Sequence, residues 1–520
     1  MIVFLLRRIR FYFDFKKNRK ASERRILLVY PKYPDTFWSF KHALWFIGKK
    51  AAHIPLGLLT VAAMIPKKWS IKLIDMNVSK LKDKHIRWAD YVFISAMSVQ
   101  ADSARDVIAR CKKLNVRTVA GGPLFTSTPE KFEGVADHLI LNEAEVTFPR
   151  FLNDLQKEKA KKLYKAGEKE WADMKKSPVP LWHLVNLKKY ASTCIQYSRG
   201  CPYDCEFCDI TVLCGRVPRT KTKEQIIDEL NRIYRLGWKG SVFFVDDNFI
   251  GNKKKLKEEI LPAIEEWMKE KKYPFAFFTQ ASIELADHED LMEGMIKAGF
   301  DIVFVGIETP NEQSLIECNK FQNKDRDLLE SVKKIQKAGL QVQGGFIVGF
   351  DNDPPTIFDT QIKFIQESGV VTAMVGLLNA LPRTRLYKRL KKENRLLEDT
   401  TGDNTDSTIN FKPKMDPAVL VEGYHKIVRF IYEPKNYYAR VRNFLRTYNP
   451  KQTKVFHFRP DRFEALIKSV FRLGIIGKER FQYWKLFFWI LFNRPKFFPL
   501  AITFSIYGYH FRKVFEQSLR

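Results

Sequence analysis

Three of the seven cysteines in this 520-residue chain fall within eight positions, in the stretch Arg199-Gly200-Cys201-Pro202-Tyr203-Asp204-Cys205-Glu206-Phe207-Cys208. Cys201, Cys205 and Cys208 are separated by three residues and then two. Three thiolates on one short loop can each bind one iron of a cubane cluster, which leaves the fourth iron without a protein ligand. An open iron is a place for chemistry, whereas a fully ligated cluster mostly carries electrons. The competing reading is a structural zinc site completed by Cys194 or Cys214, but a three-residue gap is unusual for a zinc pair. Few, clustered and odd-numbered cysteines argue against a secreted disulfide framework and for a reducing cytosol.

A reactive centre needs elements to hold it. From Thr193 onward, short β-branched and aromatic runs alternate with helical stretches. The strands read as Thr193–Tyr197, Ser241–Val245, Phe275–Thr279, Ile302–Ile307, Val342–Val348 and Val371–Leu378. Six β/α units predict a partial parallel barrel, whose site lies at the strand carboxyl ends. The polar residues there are Asp246, Asp247 and Asn248, then Gln280, then Glu308, with Gly344 and Gly345 inside the fifth strand.

A second alternating region precedes the cysteines. Ile26–Tyr30, Ser70–Asp75, Tyr91–Ser95, Arg117–Pro123 and His138–Leu141 read as strands of a doubly wound parallel sheet. Such sheets bind ligands beyond the carboxyl ends of their strands. The contact loops would be Tyr30–Trp38, Ser95–Gln100, Gly121–Pro123 and Asn142–Glu145, with Gly121 and Gly122 allowing close backbone approach. Lys157–Lys176 reads as a lysine-rich helical run, ended by Ser177-Pro178-Val179-Pro180.

The cysteine spacing, with Phe207 just before the last thiol, resembles the signature of the radical S-adenosylmethionine (radical SAM) superfamily. A Rossmann-like domain directly upstream resembles its cobalamin-binding subgroup. Within that subgroup, Pro34–Phe40, Gly48–Ala52, Pro55–Leu59, Arg216–Lys221, Asp246–Lys254, Lys320–Asn323 and Ala380–Tyr387 are similar to the branch that includes hopanoid C-2 methylases. The resemblance implies a [4Fe–4S] cluster on Cys201, Cys205 and Cys208 that chelates SAM. It implies SAM contacts from Phe207, Asp246, Asp247, Asn248, Gln280, Glu308, Gly344 and Gly345. Asp246–Asn248 depart from the superfamily's Gly-Gly-Glu motif at that position. Cobalamin contacts would come from Phe37, Trp38, Ser95, Met97, Ser98, Gly121, Gly122, Pro123, Asn142 and Glu143. No Asp-x-His-x-x-Gly segment is present, so no axial histidine is expected, and His53 reads as structural or substrate-facing. The single cysteine upstream, Cys111, does not match the three of methylthiotransferase relatives.

Charge and aromatics bear on the partner. The formal net charge is +30, and 42 residues are Phe. Residues 411–520 hold 22 Lys/Arg against 7 Asp/Glu, half of that excess. Leu486-Phe487-Phe488-Trp489-Ile490-Leu491-Phe492 is too short to span a bilayer and is interrupted at Arg494-Pro495-Lys496. Interleaved cations and Trp/Phe fit a membrane interface or a greasy substrate tunnel, and the apolar runs are too dense for nucleic-acid stacking platforms.

The expected architecture is α/β. A basic, aromatic leader (1–24) precedes a Rossmann-like cobalamin-binding domain (25–155) and a linker (156–190). A partial (β/α)6 radical SAM barrel (191–400) and a mainly helical basic/aromatic region (401–520) follow. The resemblance implies an enzyme that methylates an unactivated carbon of a hydrophobic, lipid-like substrate, and the cysteine usage and the basic, aromatic tail place it in the cytoplasm, peripheral at the inner membrane face. It would need a reductant such as flavodoxin or ferredoxin. Cyclisation with the same cofactors, RNA modification, and an electron carrier or cobalamin sensor are the alternatives.

Overall fold

A computed structural model describes residues 23–397, 400–403, 405–450 and 460–518. Most of the expected basic, aromatic leader, through residue 22, lies outside the described residues. The chain forms two compact units. One comprises residues up to Pro34 and Pro55–Asn186; the other comprises Asp35–Ile54 and Leu187–Arg520.

The first unit is a six-stranded parallel sheet. Its strands are β1 (Arg25–Tyr30), β2 (Ser70–Asp75), β3 (Tyr91–Ser95), β4 (Arg117–Gly121), β5 (His138–Ile140) and β6 (Leu163–Tyr164), in the order β2-β1-β3-β4-β5-β6. Ile26, Leu27, Leu28 and Val29 are all fully buried, because helices cover both faces. Leu27, Val29, Val92 and Ile94 meet Ala104, Val107, Ile108 and Cys111, the inward stripe of helix Ala101–Lys113. Ile26, Leu28, Phe93 and Val119 meet Leu58, Phe148 and Phe151 on the other face.

The lysine-rich stretch 157–176 is not the helix expected of it. The helix Ala144–Gln156 ends first, and β6 then joins the sheet edge through Leu139↔Leu163 and Ile140↔Tyr164. The Tyr164 hydroxyl donates to Asp154 Oδ2 (2.8 Å) and accepts from the Lys161 amide (2.9 Å). A composition dominated by lysine hid a two-residue edge strand, a place where flanking lysines are common.

In the second unit β7 (Ser192–Ile195) begins an open barrel sheet. A two-residue antiparallel ribbon, β8 (Ser198–Arg199) with β9 (Arg219–Thr220), follows, so residues 200–218 form an excursion closed at its neck. The sheet continues with β10 (Gly240–Phe244), β11 (Phe275–Ala281), β12 (Phe300–Glu308), β13 (Gln341–Val348) and β14 (Ala373–Leu377). All six barrel strands are parallel and neighbours in chain order, β7-β10-β11-β12-β13-β14.

A helical region completes this unit. Asp416 caps helix Pro417–Tyr432 by accepting from the amides of Ala418 (2.9 Å) and Val419 (3.1 Å), with proline in the first turn. Helices Pro434–Thr447, Pro460–Ser469, Arg480–Asn493 and Phe498–Ser518 follow, and a π-helical turn, Val470–Ile476, extends the third of these five. Tyr432 ties the first to β14 by donating to Ala373 O (2.7 Å), and Tyr437 donates to Phe504 O (2.7 Å). Among the described residues no helix is long and apolar enough to cross a membrane.

Residues 35–54 pack within this second unit although the first unit surrounds them in sequence. Phe37 stacks on Phe511 (4.1 Å between centroids), and its carbonyl receives a hydrogen bond from His510 Nε2 (2.9 Å). Ala51 and Ala52 accept hydrogen bonds from the amides of Ala191 and Ser192, at the start of β7.

Candidate active site

The cysteine loop is fixed at its entry by a carboxylate. Asp246, just past β10, is wholly buried and accepts from the amides of Tyr197 (3.0 Å) and Ser198 and from the Ser198 hydroxyl (2.6 Å). Burial raises its pKa to about 7, against the pull of those three donors. Both its oxygens serve the backbone that leads into the loop. Asp247 is less enclosed: Gly200 N lies 3.4 Å from its Oδ2, and burial raises its pKa to about 6. Asn248 reaches the Cys201 thiol and also bridges to Ser282.

Gly200 has φ +96°, and a Cβ there would stand 2.7 Å from Val217 O and 3.1 Å from Gly215 O. Only glycine allows the two arms of the excursion to cross this closely. The far end of the loop is clamped too. Glu206 donates its amide to Cys318 O (2.8 Å) and accepts Leu386 N at its carbonyl (2.9 Å). The Glu206 carboxylate takes a two-bond grip from Arg389 (2.8 and 3.0 Å), which also reaches Asp351 (3.1 Å).

The three thiols are free, with Cys205 buried and the other two partly so. Burial pushes the Cys201 thiol up to about 12 and holds Cys208 well above its usual value. Such sulfurs ionise when a cation compensates, which iron would provide. One fixed cation is already there. Lys320 donates to Glu308 Oε1 (2.7 Å), and both side chains are nearly buried. Burial disfavours the charged amine, but Glu308, joined by the Cys205 and Cys208 sulfurs once these are ionised, raises its pKa above the usual lysine value. Gln322 Nε2 lies 3.7 Å from Cys205 Sγ. Among the described residues no three His, Cys, Asp or Glu side chains converge as for a single metal ion. Three soft donors on a braced loop, one per iron corner, suit a cubane rather than a mononuclear site.

Glu308 stands just past a register shift in β12 at φ +63°, which turns it toward Lys320. Asn323 donates to the carbonyls of Gly306 (3.0 Å) and Ile307 (2.9 Å) and so satisfies this irregular strand end. Gly344 and Gly345 part company across the sheet. A Cβ on Gly345 would meet Phe304 Cζ at 2.7 Å, whereas one on Gly344 would meet Phe346 and Val370 under the helices. Phe346 is fully buried against Phe364, so Gly345 and Ile347 lie on the opposite, less buried face of β13 with Gln341 and Gln343.

That face is aromatic. Phe243 and Phe278 stack at 4.6 Å, and Gln280 lies one register step further along β11, paired with Phe304. Trp38 meets Phe304 edge-on (5.4 Å), and His53 lies 5.3 Å from the Phe243 ring. His53 Nδ1 hydrogen-bonds Ser192 Oγ (2.7 Å), and burial lowers its pKa to about 4, so it is neutral. Phe207 packs at the edge of a separate apolar cluster near Phe350 (6.2 Å).

In the first unit Ser95 and Gly121 end β3 and β4, and Met97, Ser98, Gly122, Pro123, Asn142 and Glu143 lie just past the carboxyl ends of β3, β4 and β5. Gly122 has φ +96°, and a Cβ there would be 2.6 Å from Ser95 Oγ. Met97 is exposed at the same edge. Glu143 is buried and accepts Ala172 N (2.7 Å), and Asn142 Oδ1 accepts Ala166 N (3.1 Å), so these two brace neighbouring loops. Glycine-lined loops at one edge of a parallel sheet fit a large flat ligand. Phe37 and Trp38 belong to the other unit, where Phe37 is buried among the C-terminal helices.

A parallel sheet of the kind that takes cofactors at its carboxyl edge, and an open barrel bearing three free thiols on one loop, together fit a two-cofactor radical enzyme. Comparison with known proteins agrees. The Radical SAM superfamily matches residues 195–365, a B12 binding domain residues 50–152, and a domain of unknown function (DUF4070) residues 384–520. An uncharacterised methyltransferase of Synechocystis, sll1242, is 41% identical over 95% of this chain and 93% of its own. Hopanoid C-2 methylase of Rhodopseudomonas palustris is 33% identical over 90% of each. Among solved structures, TsrM of Kitasatospora setae with cobalamin and a [4Fe-4S] cluster bound has a TM-score of 0.61 at 13% identity, over 96% of this chain and 100% of that one. OxsB with aqua-cobalamin and S-adenosylmethionine bound has a TM-score of 0.61 at 15% identity, over 96% and 80%. The chain belongs to the cobalamin-dependent radical SAM methyltransferases. Its cofactors are a [4Fe-4S] cluster, SAM and cobalamin.

Proposed function

We propose that this enzyme transfers a methyl group to an unactivated carbon of a hydrophobic, lipid-like substrate, working at the inner face of the cytoplasmic membrane. The carrying observation is the aromatic face of the barrel: Phe243, Phe278, Phe304 and Trp38, with His53 held neutral beside them. Such a face binds apolar surface, and the charged pair over Gly306 on the same strand, Lys320 with Glu308, is satisfied within the protein. The hopanoid C-2 methylase relative supports the same class.

In this reading Cys201, Cys205 and Cys208 hold the cluster, and Asp246, Gly200 and the Glu206–Arg389 grip fix the loop that presents them. Asp247 and Asn248 would take SAM's ammonium, and Gly345 and Ile347 would contact its adenine. Lys320 balances the negative charge of thiolates and cluster, while Glu308 holds Lys320 in place. Ser95, Met97, Ser98, Gly121, Gly122 and Pro123 seat cobalamin against backbone. When bound, the cluster with SAM supplies a carbon radical and cobalamin supplies the methyl group. Transfer to a saturated carbon needs no side-chain base, in keeping with a His53 whose pKa, lowered to about 4, makes it a weak one. Low-potential electrons come from a flavodoxin or ferredoxin.

The test is anaerobic incubation of the reconstituted enzyme with methyl-labelled SAM, a reductant and lipid extract. Label in an extractable lipid supports the reading. Turnover of SAM with label confined to water-soluble products, or an unlabelled rearranged product, refutes it.

A further inference from the structure

Helices Pro460–Ser469 and Arg480–Asn493, with the π-turn Val470–Ile476 between them, use only half of their apolar surface for packing. Ala465, Ser469 and Leu473 face inward from the first arm, and Tyr483, Leu486 and Ile490 from the second. Phe463, Ile467, Phe471 and Ile475 recur every fourth residue and are each 55–57% exposed. On the second arm Phe481, Phe488 and Phe492 are 73%, 50% and 79% exposed. The arms are joined rigidly. Trp484 Nε1 donates to Gly474 O (2.9 Å), Ser469 Oγ and Tyr483 OH are 2.9 Å apart, and Trp484 stacks on Phe488.

Two adjoining helical arms that each expose a row of large apolar side chains carry more than the scattered single residues of ordinary surface, and mark an interaction site. Charge around it selects the partner. Residues 460–500 contain eight Lys/Arg against three Asp/Glu. Glu479 is buried against Arg512 (2.5 Å), and Glu464 is engaged by Lys468 (2.5 Å). Lys478, Arg480, Lys485 and Lys496 are exposed beside the aromatic side chains. An apolar ridge flanked by cations matches an anionic bilayer surface, where acyl chains take the phenyl rings and lipid phosphates take the lysines.

We propose that this two-helix ridge docks the enzyme on anionic membrane by inserting Phe463, Phe471, Phe481 and Phe492 below the headgroups. The inference deepens the membrane part of the proposed function and rests on it. It would let an apolar substrate reach the enzyme from the membrane without crossing water.

The experiment is sedimentation of the full-length holoenzyme with vesicles of phosphatidylcholine alone or mixed equally with phosphatidylglycerol. The wild type should bind the mixed vesicles, less so at high salt. The variant F463S/F471S/F481S/F492S should bind at least about tenfold more weakly, with unchanged melting and unchanged 5′-deoxyadenosine release from SAM. The variant K478E/K485E/K496E should lose the preference for phosphatidylglycerol. Equal binding by wild type and the serine variant overturns the inference, as does a wild type that ignores vesicles. A wild-type dimer that the serine variant abolishes, without vesicle binding, assigns the ridge to a second copy and also overturns it. Vesicle binding without methyl transfer to lipid in detergent would instead overturn the proposed function and leave the docking face standing.

Discussion

Asp246→Asn tests the carboxylate at the mouth of the cysteine loop. Asp246 is fully buried, and its folded pKa is about 7 against an ordinary 3.8, with burial the largest cause. Between those values the folded state holds a proton that the unfolded chain has released, so folding is favoured at lower pH and this advantage is lost as pH rises through about 7. From about pH 5 to about pH 8 the two units of raised pKa in that window correspond to roughly 3 kcal/mol. Asparagine carries no such proton. It keeps an acceptor for Ser198 but turns an amide toward the Tyr197 N–H, a pH-independent loss of about 1–3 kcal/mol. Wild type should therefore match or exceed the variant in stability near pH 5 and lose ground by roughly 3 kcal/mol toward pH 8. Calorimetric or denaturant unfolding of both proteins across that range measures the difference directly. A wild-type advantage that is flat, or grows with pH, would refute the assignment of Asp246 as a buried acceptor ionised at the cost of its desolvation.

Cys201→Ala, Cys205→Ala and Cys208→Ala should each abolish SAM cleavage and lower bound iron after reconstitution, whereas Cys111→Ala, buried in the first unit's helix core, should leave cleavage intact; retained cleavage in any of the first three refutes the cluster assignment. Lys320→Met strands Glu308 in a site where both side chains are nearly buried, a cost of about 3–5 kcal/mol. The double change Lys320→Met/Glu308→Gln should recover much of it in thermal melts, and a stable single variant would show that the pair is not coupled. Gly200→Ala forces a Cβ to 2.7 Å from Val217 O at a positive φ, which costs about 1–3 kcal/mol and should reduce iron content more than it lowers the melting temperature of the rest of the chain.

Most strands are legible because they are apolar runs, and a central one such as Ile26–Val29 is sheathed on both faces, whereas the two-residue edge strand β6 is not legible in its lysine-rich surroundings. The cysteine motif is legible for a different reason, since its three donors are local and need no tertiary partner. Residues at strand ends are legible only as a set. Asp246, Asp247 and Asn248 are consecutive, yet one braces Tyr197 and Ser198, one lies beside Gly200, and one reaches Cys201 and Ser282. Backbone direction decides which does which, and no pattern of residue types encodes it. Gly344 and Gly345 are separated by the same period-two alternation, sharpened by the register shift at Gly306/Glu308. Lys320 was visible within a family-like tetrapeptide but carried no role, because its partner Glu308 lies twelve residues away across a strand end.

The largest gap concerns residues 35–54, which sequence order places with the first sheet and packing places with the barrel. Apolar content gives no hint of this, since Phe37 would be as well buried against either unit. What decides is complementarity at a distance: His510 supplies the hydrogen bond that the Phe37 carbonyl needs, and β7 supplies the amides that Ala51 and Ala52 accept. The functional consequence follows from the same contacts. Trp38 and His53 are delivered to the aromatic face of the barrel by a segment anchored at Phe37 to the helix Phe498–Ser518. That helix packs on the helix bearing Phe481, Phe488 and Phe492. The exposed ridge and the barrel's aromatic lining are thus built on one helical support, so the proposed docking face and the proposed substrate face are parts of a single packed unit.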